Sequence, residues 1–305
     1  MSQATPDQIK EVNTKYHDLA ATDYDSKWGI DFGDIGKTQV AGKLTKALGT
    51  TPRRFTHALE IGAGTGYFSL NLMRTGRIER LTATDISQGM LDRLAKTAKS
   101  LDLSVECVAC DAEQLPLADS SFDLLLGHAV LHHLPNLERA FAHFYRVLQP
   151  GGTLLFCGEP SRYGDRLASI PKRAGTLLAP LWRTALGIGA RPTNGANPNS
   201  SANEQDRLEP YVDVHAFTPN YLSELAADAG FERIDVSGEE LLANLFGWTA
   251  RSLEATAAKS EIPWGWSNFA FRAYVALQSI DRRLLEPYLP AALFYNLIIA
   301  ARKPA

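Results

Sequence analysis

The spacing of apolar residues changes character near residue 56. From residue 56 to 156, short apolar runs alternate with longer segments whose apolar side chains recur every three or four positions. That alternation is the pattern of βαβ units and a parallel sheet. Residues 57–61, 81–85, 104–109, 122–126 and 153–157 read as five successive strands. Residues 67–73, 90–100 and 137–148 read as the helices between them. The second helix carries Met90, Leu91, Leu94, Ala95 and Ala98 on one stripe, and Pro150-Gly151-Gly152 stops the third.

Before this region, residues 9–48 are mostly helix-compatible, with an irregular break at 31–36. After it, 161–215 is rich in proline and glycine, and 193–203 is polar enough to read as a loop. Within 162–191, Pro171 and Pro180 are expected to break any long helix. Regularity returns at 218–229, a predicted helix with Thr218 as N-cap, Pro219 in its first turn and Gly230 past its end. A strand is expected at 231–236, an aromatic-rich helical region at 241–289 and a last strand at 294–301. No internal repeat is visible.

The composition of the 305 residues, 45% hydrophobic and 21% charged, permits a sizeable core. A net charge of −3 supplies no basic field for nucleic acid. The three cysteines do not form a disulfide framework. The Cys107/Cys110 pair lacks the partners of a zinc site, so no metal is expected. Residues 1–13 are polar and carry no secretory core. The apolar run at 289–300 is too short to span a bilayer. The chain is therefore expected to be cytoplasmic, with peripheral membrane contact left open.

The main chemical signal is Glu60-Ile-Gly62-Ala-Gly64-Thr-Gly66-Tyr67, at the end of the first strand. Glycines let a ligand approach the backbone, and the following helix N-terminus favours an anionic group. The spacing is GxGxG, with Tyr67 at the third position of the dinucleotide fingerprint, which argues against a nicotinamide dinucleotide. Glu60 would repel a phosphate but suits an ammonium. Asp85, about 20 residues on, stands where a carboxylate reaches ribose hydroxyls, or else caps the next helix with Ser87. Asp111 follows the third strand and fits either an adenine amine, with Ala112 N–H beside the ring, or a turn. His128 ends the fourth strand, close to His132 and His133, where open α/β sheets bind ligands. Each histidine also has a plain structural reading.

Glu60 to Gly66, Asp85, Asp111-Ala112, Phe122-Asp123, Leu131-His-His-Leu134 and Arg146 to Gly152 together resemble the class I S-adenosylmethionine-dependent methyltransferases. Within that class the chain is most similar to the small-molecule methyltransferases of the ubiquinone/menaquinone-biosynthesis type. The resemblance covers about 56–159, with weaker support at 219–236 and 294–303. It implies an α/β fold with a Rossmann-like, doubly wound, seven-stranded, mostly parallel sheet, an antiparallel last strand and helical lid insertions. It also implies S-adenosylmethionine as cofactor, with Gly62, Gly64 and Gly66 around the methionine part. Asp85 and the adjoining Ile86 would lie at the ribose, Asp111 and Ala112 at the adenine, and His128 on the sulfonium side. Tyr16, Tyr24 and Trp28 are counterparts of an N-terminal aromatic closure, and Trp28 also fits as plain core.

Methyl transfer is an in-line displacement in which the protein aligns the acceptor and removes its proton where needed. His132 or His133 suits the base at neutral pH, with Glu159 orienting it or the acceptor. O- and C-methylation are not separated by these residues. The implied organisation is a cap at 1–50, a cofactor-binding core at 51–160, a lid at 161–215, further sheet at 216–242 and 293–305, and a helical cover at 243–292.

Residues 162–191 are basic and apolar, reading either as a membrane-surface element or as a lid helix packed on the core. Phe246, Trp248, Trp264, Trp266, Phe269, Phe271 and Tyr274 suit a hydrophobic small-molecule acceptor, or a helical core. The competing readings are a non-catalytic cofactor-binding protein on the same fold and a nicotinamide-dependent oxidoreductase.

Overall fold

The computed structural model describes residues 5–25, 29–50, 53–191, 207–208 and 211–305. Trp28 and the polar stretch 193–203 lie outside the described residues. Strands β1 (Phe55–Ile61) and β4 (Phe122–His128) pair at the middle of a seven-stranded sheet. From β1 the sheet continues through β2 (Ile78–Asp85) to β3 (Glu106–Ala109). From β4 it continues through β5 (Leu148–Pro160) and β7 (Asn296–Arg302) to β6 (Glu232–Glu239). Every pairing is parallel except those of β7, which runs antiparallel to both β5 and β6. The doubly wound sheet with an antiparallel last strand is as expected.

The central strands are continuous apolar runs because helices cover both faces. In β4 the side chains alternate between two cores: Leu125 joins one, and Leu124 and Leu126 join the other. Helix α5 (Leu137–Val147) fills the first core with Phe141 and Phe144. Helices α3 (Tyr67–Arg74) and α4 (Gln88–Ser100) fill the second with Phe68 and Leu94. Burying each such leucine or phenylalanine contributes about 1.5–3 kcal/mol. Ala95 is exposed, at the margin of the α4 stripe rather than inside it.

Helix α7 (Pro219–Asp228) begins as its sequence predicts: Thr218 accepts from the Tyr221 N–H, Pro219 occupies the first turn, and Gly230 lies past the end at φ +97°. Helices α1 (Pro6–Ala20) and α2 (Asp34–Leu48) precede the sheet.

One expectation fails. Helix α6 (Arg162–Leu186) runs unbroken through Pro171 and Pro180. An interior proline costs a helix about 3 kcal/mol through its lost hydrogen bond and its clash with the preceding turn. Here Gly164, Ala168, Pro171, Gly175 and Ala179 are buried, and α6 packs along α8 (Leu242–Glu254). The approach is close: a Cβ on Gly175 would lie 2.7 Å from Ser252 Cβ. That packing holds the helix across both prolines.

Candidate active site

The strand order reverses between β1 and β4, so a crevice opens at their carboxyl ends. Gly62 follows β1 and His128 ends β4, which puts both at that crevice. A cavity of about 630 Å³ begins there and reaches α8 and α9 (Trp264–Ile280). Its size is that of a small-molecule site. Tyr24, Glu60, Gly62, Gly64, His128, His132 and His133 line it, together with Phe246, Trp248, Phe271 and Tyr274. Gly66, Asp85, Ile86, Asp111, Ala112 and Glu159 are not on its wall.

The three glycines all have positive φ, but for different reasons. A Cβ on Gly62 would lie 2.2 Å from Val130 Cγ2, and one on Gly66 would lie 2.7 Å from Leu70 Cδ1. Packing requires both to be glycine. A Cβ on Gly64 would meet nothing within 4 Å, and Gly64 faces the cavity.

Asp85 supports the glycine loop. Its Oδ2 accepts from Gly64 N–H at 2.8 Å and its Oδ1 from Ser87 N–H at 2.9 Å. Burial pushes its pKa up to about 6, against those backbone hydrogen bonds. Asp111 is paired with Lys10 of α1 at 2.8 Å, and Lys10 also reaches Glu113 at 2.6 Å. Further along α1, Asp18 accepts from Ser87 Oγ and from Gly89 N–H. Helix α1 therefore bridges the ends of β2 and β3.

Glu60 is buried on the cavity wall and accepts from Ser69 Oγ. Burial raises its pKa to about 8. His128 packs against the rings of Tyr67 and Phe68, each 5.5 Å away. Burial, with the nearby Lys43 charge, lowers its pKa to about 3, so it is neutral.

The histidine pair is asymmetric. His132 Nδ1 lies 2.8 Å from Glu159 Oε2, and Glu159 also accepts from the N–H groups of Val130, Leu131 and His132. That contact assigns the proton to Nδ1 and leaves Nε2 as the basic nitrogen, 3.6 Å from Asp213 Oδ1. Burial alone would lower the His132 pKa; the Glu159 hydrogen bond and charge outweigh it, with help from Asp213, and hold it above the ordinary value. His133 is held well below by burial and by the neighbouring His132 and His17, although its Nδ1 contacts the Val212 carbonyl at 2.9 Å.

His132, His133 and Asp213 also have ligand atoms within 4.8 Å of one another, a spacing that could hold a metal ion. No metal is expected from the sequence motifs, and Asp213 carries no sequence signal.

Two further cavity groups had no motif to announce them. Lys43 of α2 is paired with Glu239 and lies 3.6 Å from Glu240, just past β6. Glu240 accepts from Tyr274 Oη and Gln278 Nε2, each at 2.8 Å, and from Asn296 Nδ2 at 3.1 Å. The one available hint was a carboxylate pair at a strand end, the position shared by Glu60 and Asp85.

The cavity fits the amino-acid end of S-adenosylmethionine. Gly64 leaves open space, Glu60 suits an ammonium, and Thr65 Oγ1 is buried on the wall without a hydrogen-bond partner.

Residues 59–156 match the family described as a methyltransferase domain. The malonyl-[acyl-carrier protein] O-methyltransferase of Methylococcus capsulatus is 37% identical over 137 residues, 45% of this chain and 47% of that protein. The chain thus spans about half of that curated relative. The ubiquinone/menaquinone biosynthesis C-methyltransferase of Escherichia fergusonii is 27% identical, covering 60% of this chain and 69% of its own.

Among solved structures, phosphoethanolamine N-methyltransferase 2 of Haemonchus contortus, in complex with phosphomonomethylethanolamine and S-adenosylhomocysteine, matches 99% of this chain and 61% of its own. Its TM-score is 0.58 at 16% identity. The [4+2]-cyclase SpnF matches 97% of both chains at 20% identity, also with a TM-score of 0.58. The fold is that of the class I methyltransferases. Residues 59–156 are a methyltransferase domain of the S-adenosylmethionine-dependent type, and S-adenosylmethionine is its cofactor.

Proposed function

We propose that this protein transfers a methyl group from S-adenosylmethionine to an oxygen or carbon of a hydrophobic small molecule such as a quinone, a lipid or a polyketide-like compound. The carrying observation is one continuous cavity with the open Gly64 loop and Glu60 on one part of its wall and Phe246, Trp248 and Phe271 on another. His132 and His128 also line it.

In this reading Gly62 and Gly66 fix the loop while Gly64 and Glu60 receive the amino-acid end. Asp85 holds the loop and lies near the ribose with Ile86; Asp111 and Ala112 receive the adenine once Lys10 yields its ion pair. The cofactor supplies a methyl carbon already activated by a sulfonium. His132 Nε2 takes the acceptor's proton, and His133, pushed toward the neutral form, packs beside it. Glu159 is a positioning residue: it fixes the His132 tautomer and ring. Tyr24 closes the cavity from the N-terminal side, and α6, α8 and α9 form the acceptor cover.

A second reading is cofactor binding without methyl transfer. The [4+2]-cyclase is its support, because the same fold there carries a different chemistry.

The test is transfer of label from methyl-labelled S-adenosylmethionine to quinols, hydroxylated polyketides and lipid phenols, followed in the organic extract. We expect label in at least one class, and a loss of about 10²–10⁴ in rate with His132→Asn. Cofactor binding with no labelled product from any class would favour the second reading.

A further inference from the structure

The outer side of α6 is unexplained by the cavity. Tyr163, Leu167, Ile170, Leu177 and Leu181 follow one another at helical spacing and form a stripe about 27 Å long at 1.5 Å per residue. All are exposed, Leu177 at 79% and Leu181 at 71%. The inward face of the same helix is made largely of small residues, Gly164, Ala168, Gly175 and Ala179. Large apolar side chains outside and small ones inside invert the usual pattern of a surface helix. Arg162, Arg166 and Arg173 are exposed along one edge of the stripe, about 60–100° from its centre at 100° per residue. The nearby acid, Asp165, is 3.4 Å from Lys172. Among the described residues no helix is long and apolar enough to cross a membrane.

We propose that α6 lies flat on an anionic phospholipid bilayer. The stripe enters the acyl boundary, and Arg162, Arg166 and Arg173 meet headgroup phosphates. Charge selects this occupant over a second copy of the chain. In an antiparallel pair that overlays the two stripes, Arg173 near the midpoint would face its own copy, while Arg162 and Arg166 would lie beside Pro180 and Thr184, so none of the three would gain an acidic partner. An anionic surface complements that edge instead. The docked helix also packs on α8, where Lys172 Nζ sits 4.0 Å from the centre of the Trp248 ring. The bilayer would therefore lie one helix away from the cavity wall. This surface is separate from the cavity and stands whether or not methyl transfer occurs.

The test is co-sedimentation of the full chain with vesicles of phosphatidylcholine alone and of phosphatidylcholine with phosphatidylglycerol. We expect binding to the anionic vesicles, released by salt. Leu177→Glu with Leu181→Glu should weaken partitioning by about tenfold or more for each leucine lost. Arg166→Glu with Arg173→Glu should abolish the preference for anionic vesicles. Neither pair lines the cavity, so both variants should melt and bind S-adenosylhomocysteine like the wild type. Wild-type protein that stays in the supernatant with both vesicles overturns the proposal, as does a leucine variant that binds equally well. A dimer in light scattering that the leucine variant dissociates also overturns it, in favour of a second copy on this face.

Discussion

Glu159 Oε2 and His132 Nδ1 stand 2.8 Å apart, joining the end of β5 to the turn that follows β4. The same carboxylate gathers the N–H groups of Val130, Leu131 and His132, so it fixes the backbone of that turn and the ring it carries. A ring held this way keeps Nε2 available without needing a further partner for Nδ1.

The pH dependence follows from that contact. A base acts when deprotonated, so turnover should rise as the pH climbs through the His132 pKa, which lies above its ordinary 6.5. Glu159→Gln removes the charge that raises this pKa, so the rising limb should move to lower pH, with a lower plateau. A pH–rate profile checks it. An unmoved limb in a folded variant would remove His132 from the role of base.

The glycines should separate stability from binding. Gly62→Ala and Gly66→Ala drive a methyl group into Val130 or Leu70 and should lower the melting temperature, since overpacking costs about 1–3 kcal/mol. Gly64→Val has room, so it should cost only left-handed backbone strain, about 1–2 kcal/mol for an ordinary residue and more for a β-branched one, a strain that Gly62→Ala and Gly66→Ala carry in addition to their overpacking. It should weaken S-adenosylhomocysteine binding by more than about a hundredfold, nearly 3 kcal/mol at 1.4 kcal/mol per decade. Melting curves and calorimetry together distinguish the two classes. A Gly64→Val protein that binds normally would place the ligand elsewhere.

Glu60 should report binding through a proton. Its pKa of about 8 keeps it protonated at pH 7 in the free protein. A ligand ammonium beside it favours the carboxylate, so binding should release a proton, and Glu60→Gln should abolish that release. Calorimetry in buffers of different ionisation enthalpy measures it. The same shift sets a stability slope. The unfolded chain loses this proton near 4.5 and the folded chain near 8. Stability from this group is therefore fully present below 4.5 and declines as the pH rises toward 8.

Much of this was readable in the chain. The strands, their order of appearance and the Thr218 cap followed from periodicity and local chemistry. The acids at strand ends stood out because a carboxylate closing an apolar run is conspicuous. Their partners did not: Lys10 of α1 reaches Asp111 beyond β3, and Asp213 arrives from a loop with no pattern of its own. The unbroken α6 was illegible for a related reason. Proline is a local signal, and the packing that overrules it is supplied by α8.

Chelation should leave the reaction intact. With His132 Nε2 taking the acceptor's proton, prolonged dialysis against a chelator should not change turnover. Activity lost on chelation and restored by a divalent cation would instead put the metal on His132, His133 and Asp213.

Titrating the wild-type protein with S-adenosylhomocysteine and with NADH in a calorimeter asks most directly which cofactor the cavity takes. One S-adenosylhomocysteine should bind per chain, with no heat from NADH. NADH binding with no S-adenosylhomocysteine signal would make the cavity a dinucleotide site instead.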